Sequence, residues 1–283
     1  MEFETLAAGL GFTEGPVFRQ ADDIVVTSID RGHLYRIPDG QAEIFAVTGG
    51  GPNGATEGRD GSIYVTQNGG RGPGWNRPAT TGGIQAVRPD GRVVSLTQDL
   101  VSPNDLCFGP DGYLYATDPT RRPERDDGRL WRIDVETGEA ELLVSLGWYP
   151  NGIGFGLEDD ALYVASTGDA TIRRFPFAAS RLGNPEVFLT MTSGHPDGFA
   201  FDVEGNLVIA APGTGEGPGN VQVWSRDGQP LEVYRPGDSH YYTNVAISQD
   251  CRLIVTDSSA GRVLVADGWP HPGLALHPFR TRA

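Results

Sequence analysis

Six acidic or amide side chains recur along the chain, each directly before a short apolar segment. Successive members lie 39 to 51 residues apart, and the six are Glu14, Asn53, Asn104, Asn151, Asp197 and Asn244. Carboxylate and carboxamide oxygens suit a hard cation such as Ca²⁺, and Mg²⁺ or Mn²⁺ can use the same ligands. Zn²⁺ prefers nitrogen or sulfur, but it also accepts carboxylates and stays an alternative. If the six side chains converge, they predict a site for one divalent ion, with Ca²⁺ favoured.

The six residues open copies of one repeated phrase: a polar residue, an apolar strand, a tight turn and a second apolar strand. One clear copy begins at Pro103-Asn104-Asp105-Leu106 and continues with the strand at residues 113–117. Each interval has room for four short strands, and helical periodicity is almost missing. Six units of this kind predict an all-β, six-bladed β-propeller with four antiparallel strands per blade. We expect residues 1–283 to form this single domain.

The last repeat supplies only three strands, at about residues 244–248, 252–257 and 261–266. A blade with three strands would leave an unpaired edge. We therefore predict that the N-terminal residues 3–7 add the outer strand of the sixth blade. Residues 267–283 are expected to pack outside it.

Propeller geometry would bring the six leading residues to one face, because each begins the innermost strand of its blade. Asn-Gly and Asp-Gly pairs are also common turn formers. However, each leading residue stands before a strand rather than between two paired strands, and Glu14 is a poor turn former. This favours a functional role for Glu14, Asn104, Asn151 and Asp197, whereas Asn53 and Asn244 stay open between site and turn.

Composition excludes several classes of function. The chain has 22 basic and 37 acidic residues, a formal net charge of −15, which argues against nucleic-acid or anionic-membrane partners. All the basic residues are arginine, so Schiff-base chemistry and a Walker-type phosphate loop are excluded. Cys107 and Cys251 belong to no metal-binding motif and are expected to be free thiols. The acidic N-terminus and the lack of a long apolar segment predict a soluble cytoplasmic protein, a monomer or a small homo-oligomer.

Four motifs of the chain resemble those of a known family. They are Glu14-Gly15-Pro16, Ser102-Pro103-Asn104-Asp105-Leu106, Pro150-Asn151-Gly152 and Pro196-Asp197-Gly198. These segments resemble the blade motifs of the regucalcin (senescence marker protein)/gluconolactonase/luciferin-regenerating-enzyme family, and the likeness runs from about residue 10 to about residue 260. The resemblance implies a six-bladed propeller with a divalent ion on its axis.

The resemblance also implies roles for individual residues. It makes Glu14, Asn151 and Asp197 direct metal ligands, and Asn104 a further ligand or a substrate contact beside the ion. Asp197 is then the general base, or the nucleophile in phosphotriesterase-like relatives. The stretch from Tyr113 to Pro119 is similar to bacterial gluconolactonases and implies that Asp118 lines the pocket.

Two departures from the family pattern bear on the substrate. Sugar-lactonase members of the regucalcin type carry an arginine two residues before the third-blade asparagine, where this chain has Ser102. The fourth blade has Ser166 where the family often has aspartate. Both differences leave the ligand set intact and put an aldonolactone substrate in question.

Further residues are candidates for the substrate pocket around the six leading residues. Two long loops, residues 68–83 and 119–128, could select the substrate. In the first, Trp75 could form an aromatic wall or anchor the loop on its own blade. In the second, arginines such as Arg121 could bind a substrate carboxylate or phosphate, although exposed surface positions are favoured for them. Trp148 could shape the pocket floor or pack between blades. His195 and His240 could move a proton or serve as structural residues. No serine nucleophile motif is present.

The leading hypothesis is a metal-dependent hydrolase that opens a lactone. The ion would polarise the carbonyl, Asp197 would activate water, and Asn104 would assist. Two alternatives remain: a phosphotriesterase of the diisopropylfluorophosphatase type at the same site, and a propeller that binds a metal or ligand without catalysis. The expected partner is a small lactone or ester.

Overall fold

The computed structural model describes residues 1–19, 23–70, 80–121, 124–215 and 217–280. These residues form six antiparallel sheets and, between the third and fourth strands of the first sheet, one short 3₁₀ helix, Pro38–Gly40. The sheets follow one another along the chain, four strands at a time. The predicted all-β, six-bladed propeller is confirmed.

The blades are built from successive strands of the chain. Blade 1 contains β2 (Thr13–Phe18), β3 (Ile24–Ser28), β4 (His33–Ile37) and β5 (Glu43–Val47), and blade 2 contains β6 (Pro52–Glu57), β7 (Ile63–Gln67), β8 (Gly83–Val87) and β9 (Val93–Thr97). Blade 3 contains β10 (Leu106–Phe108), β11 (Leu114–Arg121), β12 (Glu124–Ile133) and β13 (Ala140–Leu146). Blade 4 contains β14 (Pro150–Phe155), β15 (Ala161–Ser166), β16 (Thr171–Ala178) and β18 (Glu186–Thr190), with the two-residue β17 (Arg181–Leu182) beside β16. Blade 5 contains β19 (Phe199–Phe201), β20 (Leu207–Ala211), β21 (Asn220–Trp224) and β22 (Pro230–Tyr234). Blade 6 contains β23 (Tyr242–Ile247), β24 (Arg252–Asp257), β25 (Arg262–Asp267) and β1 (Glu4–Ala8).

The sixth blade is completed from the opposite end of the chain, as predicted. Strand β1 pairs antiparallel with β25, with Glu4 opposite Val265 and Ala8 opposite Arg262. The three strands expected in the last repeat are β23, β24 and β25. The N-terminal strand thus covers an edge that would otherwise expose unpaired backbone groups, and it closes the ring.

The second strand of each blade forms the core. Strands β3, β7, β15 and β20 are buried at every residue, because neighbouring blades pack against both faces of each sheet. The outermost strands are largely exposed, and β22 is exposed at four of its five residues. Burial thus decreases from the inner strands to the rim. This explains why the second strands are continuous apolar runs, whereas the outer strands mix apolar and polar residues.

Neighbouring blades share a recurrent aromatic contact. A tyrosine in the second strand of one blade meets a phenylalanine in the first strand of the next, edge to face. The ring centroids are 5.3 Å apart for Tyr64–Phe108, 5.3 Å for Tyr115–Phe155 and 5.2 Å for Tyr163–Phe201. Such pairs contribute roughly 0.5–1.5 kcal/mol each beyond their buried area. They fix the angle between successive blades around the axis.

The C-terminal segment packs across the face of the propeller opposite the six leading residues, rather than outside blade 6. The Leu274 amide donates to the Phe201 carbonyl at 2.9 Å, and His277 Nε2 lies 2.8 Å from Asp159 Oδ1. A central channel runs along the axis of a propeller, between the innermost strands. The C-terminal segment lines a cavity of about 460 Å³ at this end of the channel. The described part of residues 267–283 therefore contacts blades 4 and 5 as well as blade 6.

The predicted loop at residues 119–128 is largely strand. Strands β11 and β12 continue outward, with Pro119 opposite Gly128 and Arg121 opposite Glu124. The loop expected at residues 68–83 does separate β7 from β8, but residues 71–79 lie outside the described residues. Both cysteines are free, as predicted. Within the described residues, no helix has the length and apolar character needed to cross a membrane.

Candidate functional site

Glycines beside the leading residues let the inner strands come close together at the axis. A Cβ atom on Gly152 would overlap the main-chain carbonyl of Asp197, and one on Gly198 would overlap the carboxamide of Asn244. The Gly152 amide also donates to the Asp197 carbonyl at 3.2 Å. The glycine after the leading residue is therefore needed for close approach to the next blade, which turn formation alone would not require.

Threonine hydroxyls hold the backbone of the leading residues in place. Thr117, in the second strand of blade 3, donates to the carbonyl of Asn151 in blade 4 at 2.7 Å. Thr27 makes the same contact to Asn53, two blades earlier. These buried bonds join one blade to the leading residue of the next and leave its side chain to face the axis.

A cavity of about 750 Å³ opens on this face of the propeller. Eight of the residues that the sequence singled out line it. They are Glu14, Asn53, Asn104, Arg121, Asn151, His195, Asp197 and His240. The fold thus brings five of the six leading residues to one cavity.

Asn244, the sixth leading residue, lies beneath the ring and does not line this cavity. Its Nδ2 donates to Glu14 Oε2 at 3.1 Å, and its Oδ1 accepts the Val245 amide at 2.9 Å. The side chain instead lines the cavity at the opposite end of the channel. In this position the amide of Asn244 orients Glu14, and a role for Asn244 in the substrate pocket stays a prediction.

Three carboxylates share the channel. Burial raises the pKa of Glu14 to about 7, against hydrogen bonds from Gly15 and Asn244. Burial and the nearby charge of Glu14 raise the pKa of Asp105 to about 7. Burial, reinforced by the charges of Glu14 and Asp105, raises the pKa of Asp197 well above its usual range. Without a neutralising cation, this channel therefore favours protonated acids.

The donor set suits a hard divalent cation. Asn53 Oδ1 is buried and has no hydrogen-bond partner among the described residues, and a cation or a ligand donor would satisfy such an acceptor. Asn151 Nδ2 donates to Thr167 Oγ1 at 3.1 Å, which leaves its Oδ1 as a possible ligand atom. Within the described part of the chain, no three acidic, histidine or cysteine side chains are close enough to hold an ion. Carboxamides must therefore supply part of any ligand set.

Two histidines stand on the wall of the cavity in defined orientations. His195 Nδ1 lies 2.8 Å from the Thr167 carbonyl, and His240 Nδ1 lies 2.7 Å from the Gly217 carbonyl. A carbonyl oxygen only accepts, so Nδ1 carries the proton in both rings. In the neutral form, each Nε2 is then a hydrogen-bond acceptor. The His240 ring also meets Tyr241 edge to face at 4.5 Å.

Two of the other predicted pocket residues, Asp118 and Trp148, pack inside the blades. Asp118 is fully buried, where its carboxylate accepts bonds from the Ser102 amide at 2.7 Å, Arg129 Nε at 2.9 Å and Trp131 Nε1 at 3.0 Å. Trp148 packs between blade strands, with Arg173 Cζ 5.0 Å from its ring centroid. Neither residue lines the cavity, and of the two roles considered for Trp148 the structure shows the packing between blades. Trp75 lies outside the described residues.

Arg121 is a wall residue for which the sequence favoured an exposed surface position over a role in substrate binding. It stands at the end of β11 and lines the cavity, and its Nε donates to the Ser102 carbonyl at 3.3 Å. Its Cζ lies 5.9 Å from the ring centroid of Tyr149, another lining residue. The dipeptide Thr120-Arg121 carries no motif, and only the outward extension of β11 could have indicated this position.

Fold and site together define a propeller with an oxygen-rich axial centre beneath an open cavity. The chain belongs to the SMP-30/Gluconolactonase/LRE-like family, whose model matches residues 12–259. The resemblance of the four blade motifs to this family is therefore confirmed.

Two curated relatives illustrate the breadth of the likeness. The chain is 26% identical over 303 aligned positions to a gluconolactonase of Zymomonas mobilis, covering 93% of this chain and 80% of that protein. It is 28% identical to the adipocyte plasma membrane-associated protein of Rattus norvegicus, over 70% of this chain and 58% of that protein. The chain thus spans little more than half of the second relative.

Solved structures share the fold. A gluconolactonase of Xanthomonas campestris matches with a TM-score of 0.77 at 23% identity, over 96% of this chain and 89% of that one. A calcium-binding regucalcin of Agrobacterium tumefaciens matches with a TM-score of 0.76 at 20% identity, over 96% of this chain and 95% of that one. At this identity, the matches establish the architecture alone.

Proposed function

We propose that this protein is a metal-dependent hydrolase that opens the ring of a lactone. The observation that carries the proposal is the convergence of Glu14, Asn104, Asn151 and Asp197 on one axial cavity. The gluconolactonase of Zymomonas mobilis, which aligns with 93% of the chain, supports the reaction class.

The four ring residues would hold one divalent cation, with Ca²⁺ favoured because all the ligand atoms are oxygen. When bound, such an ion supplies positive charge that polarises a carbonyl and lowers the pKa of water. The positive charge would also shift the buried carboxylates of Glu14 and Asp197 to their ionised forms.

The side chains divide the remaining work. Ionised Asp197 accepts a proton from the attacking water. The charges of Glu14 and Asp105 act on its carboxylate and raise its pKa. Asn104 faces the same cavity and can donate its amide N–H to a substrate oxygen. Asn244 keeps Glu14 oriented from below through its 3.1 Å bond. His195 and His240 offer acceptor nitrogens to substrate hydroxyl groups.

The test is removal and return of the ion. Protein treated with a chelator should lose hydrolysis of γ- and δ-lactones and regain it with Ca²⁺, Mn²⁺, Mg²⁺ or Zn²⁺. Lactone opening releases an acid, so a pH indicator measures it directly. Activity that persists unchanged in excess chelator contradicts metal dependence.

A parallel assay with a fluorophosphate tests the second enzymatic hypothesis. Faster turnover of the fluorophosphate than of any lactone would assign phosphotriester hydrolysis to the same residues. If neither substrate reacts with any of the four ions, the protein is a non-catalytic propeller, and the proposal is wrong.

A further inference from the structure

Arg121 combines three features that an exposed arginine would not show. Its side chain lines the axial cavity, its Nε is bound to the Ser102 carbonyl at 3.3 Å, and its guanidinium lies 5.9 Å from the Tyr149 ring. Its Nη2 is buried and has no hydrogen-bond partner among the described residues. A buried donor without an acceptor is costly, so this nitrogen indicates a missing partner.

The acids of the channel do not fill that role. In the described part of the chain, Arg121 forms no ion pair, although its charge lowers the pKa of both Glu14 and Asp197 through space. Arg121 is therefore close to the leading residues, but their carboxylates do not pair with its guanidinium. One edge of the guanidinium is held by Ser102 and one face by Tyr149, which leaves the terminal nitrogens for a ligand.

We propose that Arg121 forms a carboxylate-binding subsite, and that the substrate is a lactone whose ring carries a carboxylate. This inference rests on the proposed lactone hydrolysis. A guanidinium presents paired N–H donors that match the two oxygens of a carboxylate, whereas a neutral hydroxyl would use only one. The same positive charge would hold an anionic substrate against the repulsion of the acidic ring.

The subsite would select substrates by fixing the orientation of the lactone in the cavity. The carboxylate lies on the Arg121 side of the cavity, and the ring carbonyl then points toward the leading residues. His195 and His240, which line the same cavity, would accept hydrogen bonds from ring hydroxyls. Neutral lactones would enter the same cavity without the charge-assisted contact, and so with a higher KM.

The test compares a matched pair of γ-lactones, D-glucaro-1,4-lactone, which carries a carboxylate at C6, and D-glucono-1,4-lactone, which carries a neutral hydroxymethyl group there. Arg121→Gln should lower kcat/KM for the anionic lactone roughly ten- to a hundredfold, mainly through KM, and change the neutral lactone less than about threefold. Arg121→Lys should recover part of the loss because it keeps the charge without the fork. Arg226→Gln, an exposed arginine paired with Glu158, is the control and should change neither.

Binding gives a readout that does not depend on turnover. In an Asp197→Asn background with Ca²⁺ present, calorimetry should show preferential binding of the anionic lactone, and Arg121→Gln should remove the preference. An equal loss for both lactones, or no loss, overturns the subsite and leaves lactone hydrolysis standing. If the natural sequence hydrolyses no γ- or δ-lactone with any of the four ions, the proposed function fails, and the calorimetric comparison still decides the subsite. Arg121→Lys decides it if Arg121→Gln does not fold.

Discussion

Asp197 is the residue on which the proposed chemistry depends most directly. Its carboxylate is buried among other acids, which disfavours ionisation in the absence of a cation and makes it a strong base once ionised. We expect Asp197→Asn to lower kcat by roughly a hundred- to ten-thousandfold, the usual contribution of a general base. The carboxamide keeps an oxygen ligand, so Ca²⁺ affinity measured by calorimetry should fall much less than activity.

The matched control for this substitution is Asp227→Asn, which removes a carboxylate from an exposed turn. It should leave both kcat and Ca²⁺ binding unchanged. Full activity in Asp197→Asn would assign the base to another residue.

The raised pKa values of Glu14 and Asp105 predict how the chelator-treated protein responds to pH. Both pKa values are about 7 in the folded protein, whereas the unfolded chain releases these protons near pH 4. Between those limits the folded state holds more protons, so its stability must fall as pH rises, until the loss is complete above about pH 7. We expect the Tm of the chelated protein to drop by on the order of 5 °C or more between pH 5 and pH 8.

Ca²⁺ should abolish this decline, because the cation stabilises the ionised carboxylates. Glu14→Gln should flatten the decline in chelator by removing one of the titrating groups. A Tm that stays constant across the same pH window would show that these acids are already ionised in the folded protein.

The sequence indicated the positions of the ring residues better than the directions of their side chains. The spacing of the phrase was enough to predict that Glu14, Asn151 and Asp197 meet, because a propeller permits only one arrangement of its inner strands. It could not predict that Asn244 turns downward to Glu14, nor that Asp118 turns into the blade to accept three or more hydrogen bonds. Such orientations depend on partners that lie in other strands.

At the scale of single elements, the inner strands depend on glycines that allow contact across blades. Gly152 lies so close to the Asp197 carbonyl that a methyl group would force the two inner strands apart. We expect Gly152→Ala to lower the free energy of unfolding by about 1–3 kcal/mol and to reduce activity further by displacing Asp197. Urea denaturation and lactone turnover measure the two effects.

Gly147→Ala is the matched control, because a Cβ at Gly147 would meet no atom within 4 Å. Its stability should stay within about 0.5 kcal/mol of the natural sequence. Equal stability of the two variants would mean that the inner strands can separate without cost.

The element that the sequence misassigned is the β11–β12 hairpin. Pro119 and the charged residues after it resemble a surface loop, since proline is rare inside strands. In the fold, the hairpin extends beyond the sheet, where Pro119 pairs with Gly128, and this extension carries Arg121 over the cavity. Local composition could not predict it, because the pairing depends on which residues of the two strands face each other.

At the scale of the whole molecule, closure of the ring joins the site to the chain terminus. Glu14 follows β1 by only a few residues, and the Thr243 and Ser258 hydroxyls of blade 6 donate to the Thr13 carbonyl beside it. The first ring residue is therefore held by the last blade, and the position of Glu14 depends on how well blade 6 is closed. The repeat count predicted this closure, since a propeller with an open blade would expose an edge.

Removal of residues 2–8, with the initiating methionine retained, tests this dependence. The deletion takes away β1, exposes the edge of β25 and uncovers apolar side chains that Leu6 and Ala7 contact in the core between blades 6 and 1. We expect the Tm to fall by roughly 5–10 °C. We also expect the folded variant to bind Ca²⁺ more weakly, because Glu14 loses its support. Calorimetry below the lowered Tm measures that affinity.

Removal of Glu2 alone, an exposed residue before the strand, should change neither quantity. If the longer deletion lowers Tm but leaves Ca²⁺ affinity intact, the ring is held by the inner strands alone, and closure serves stability without serving the site.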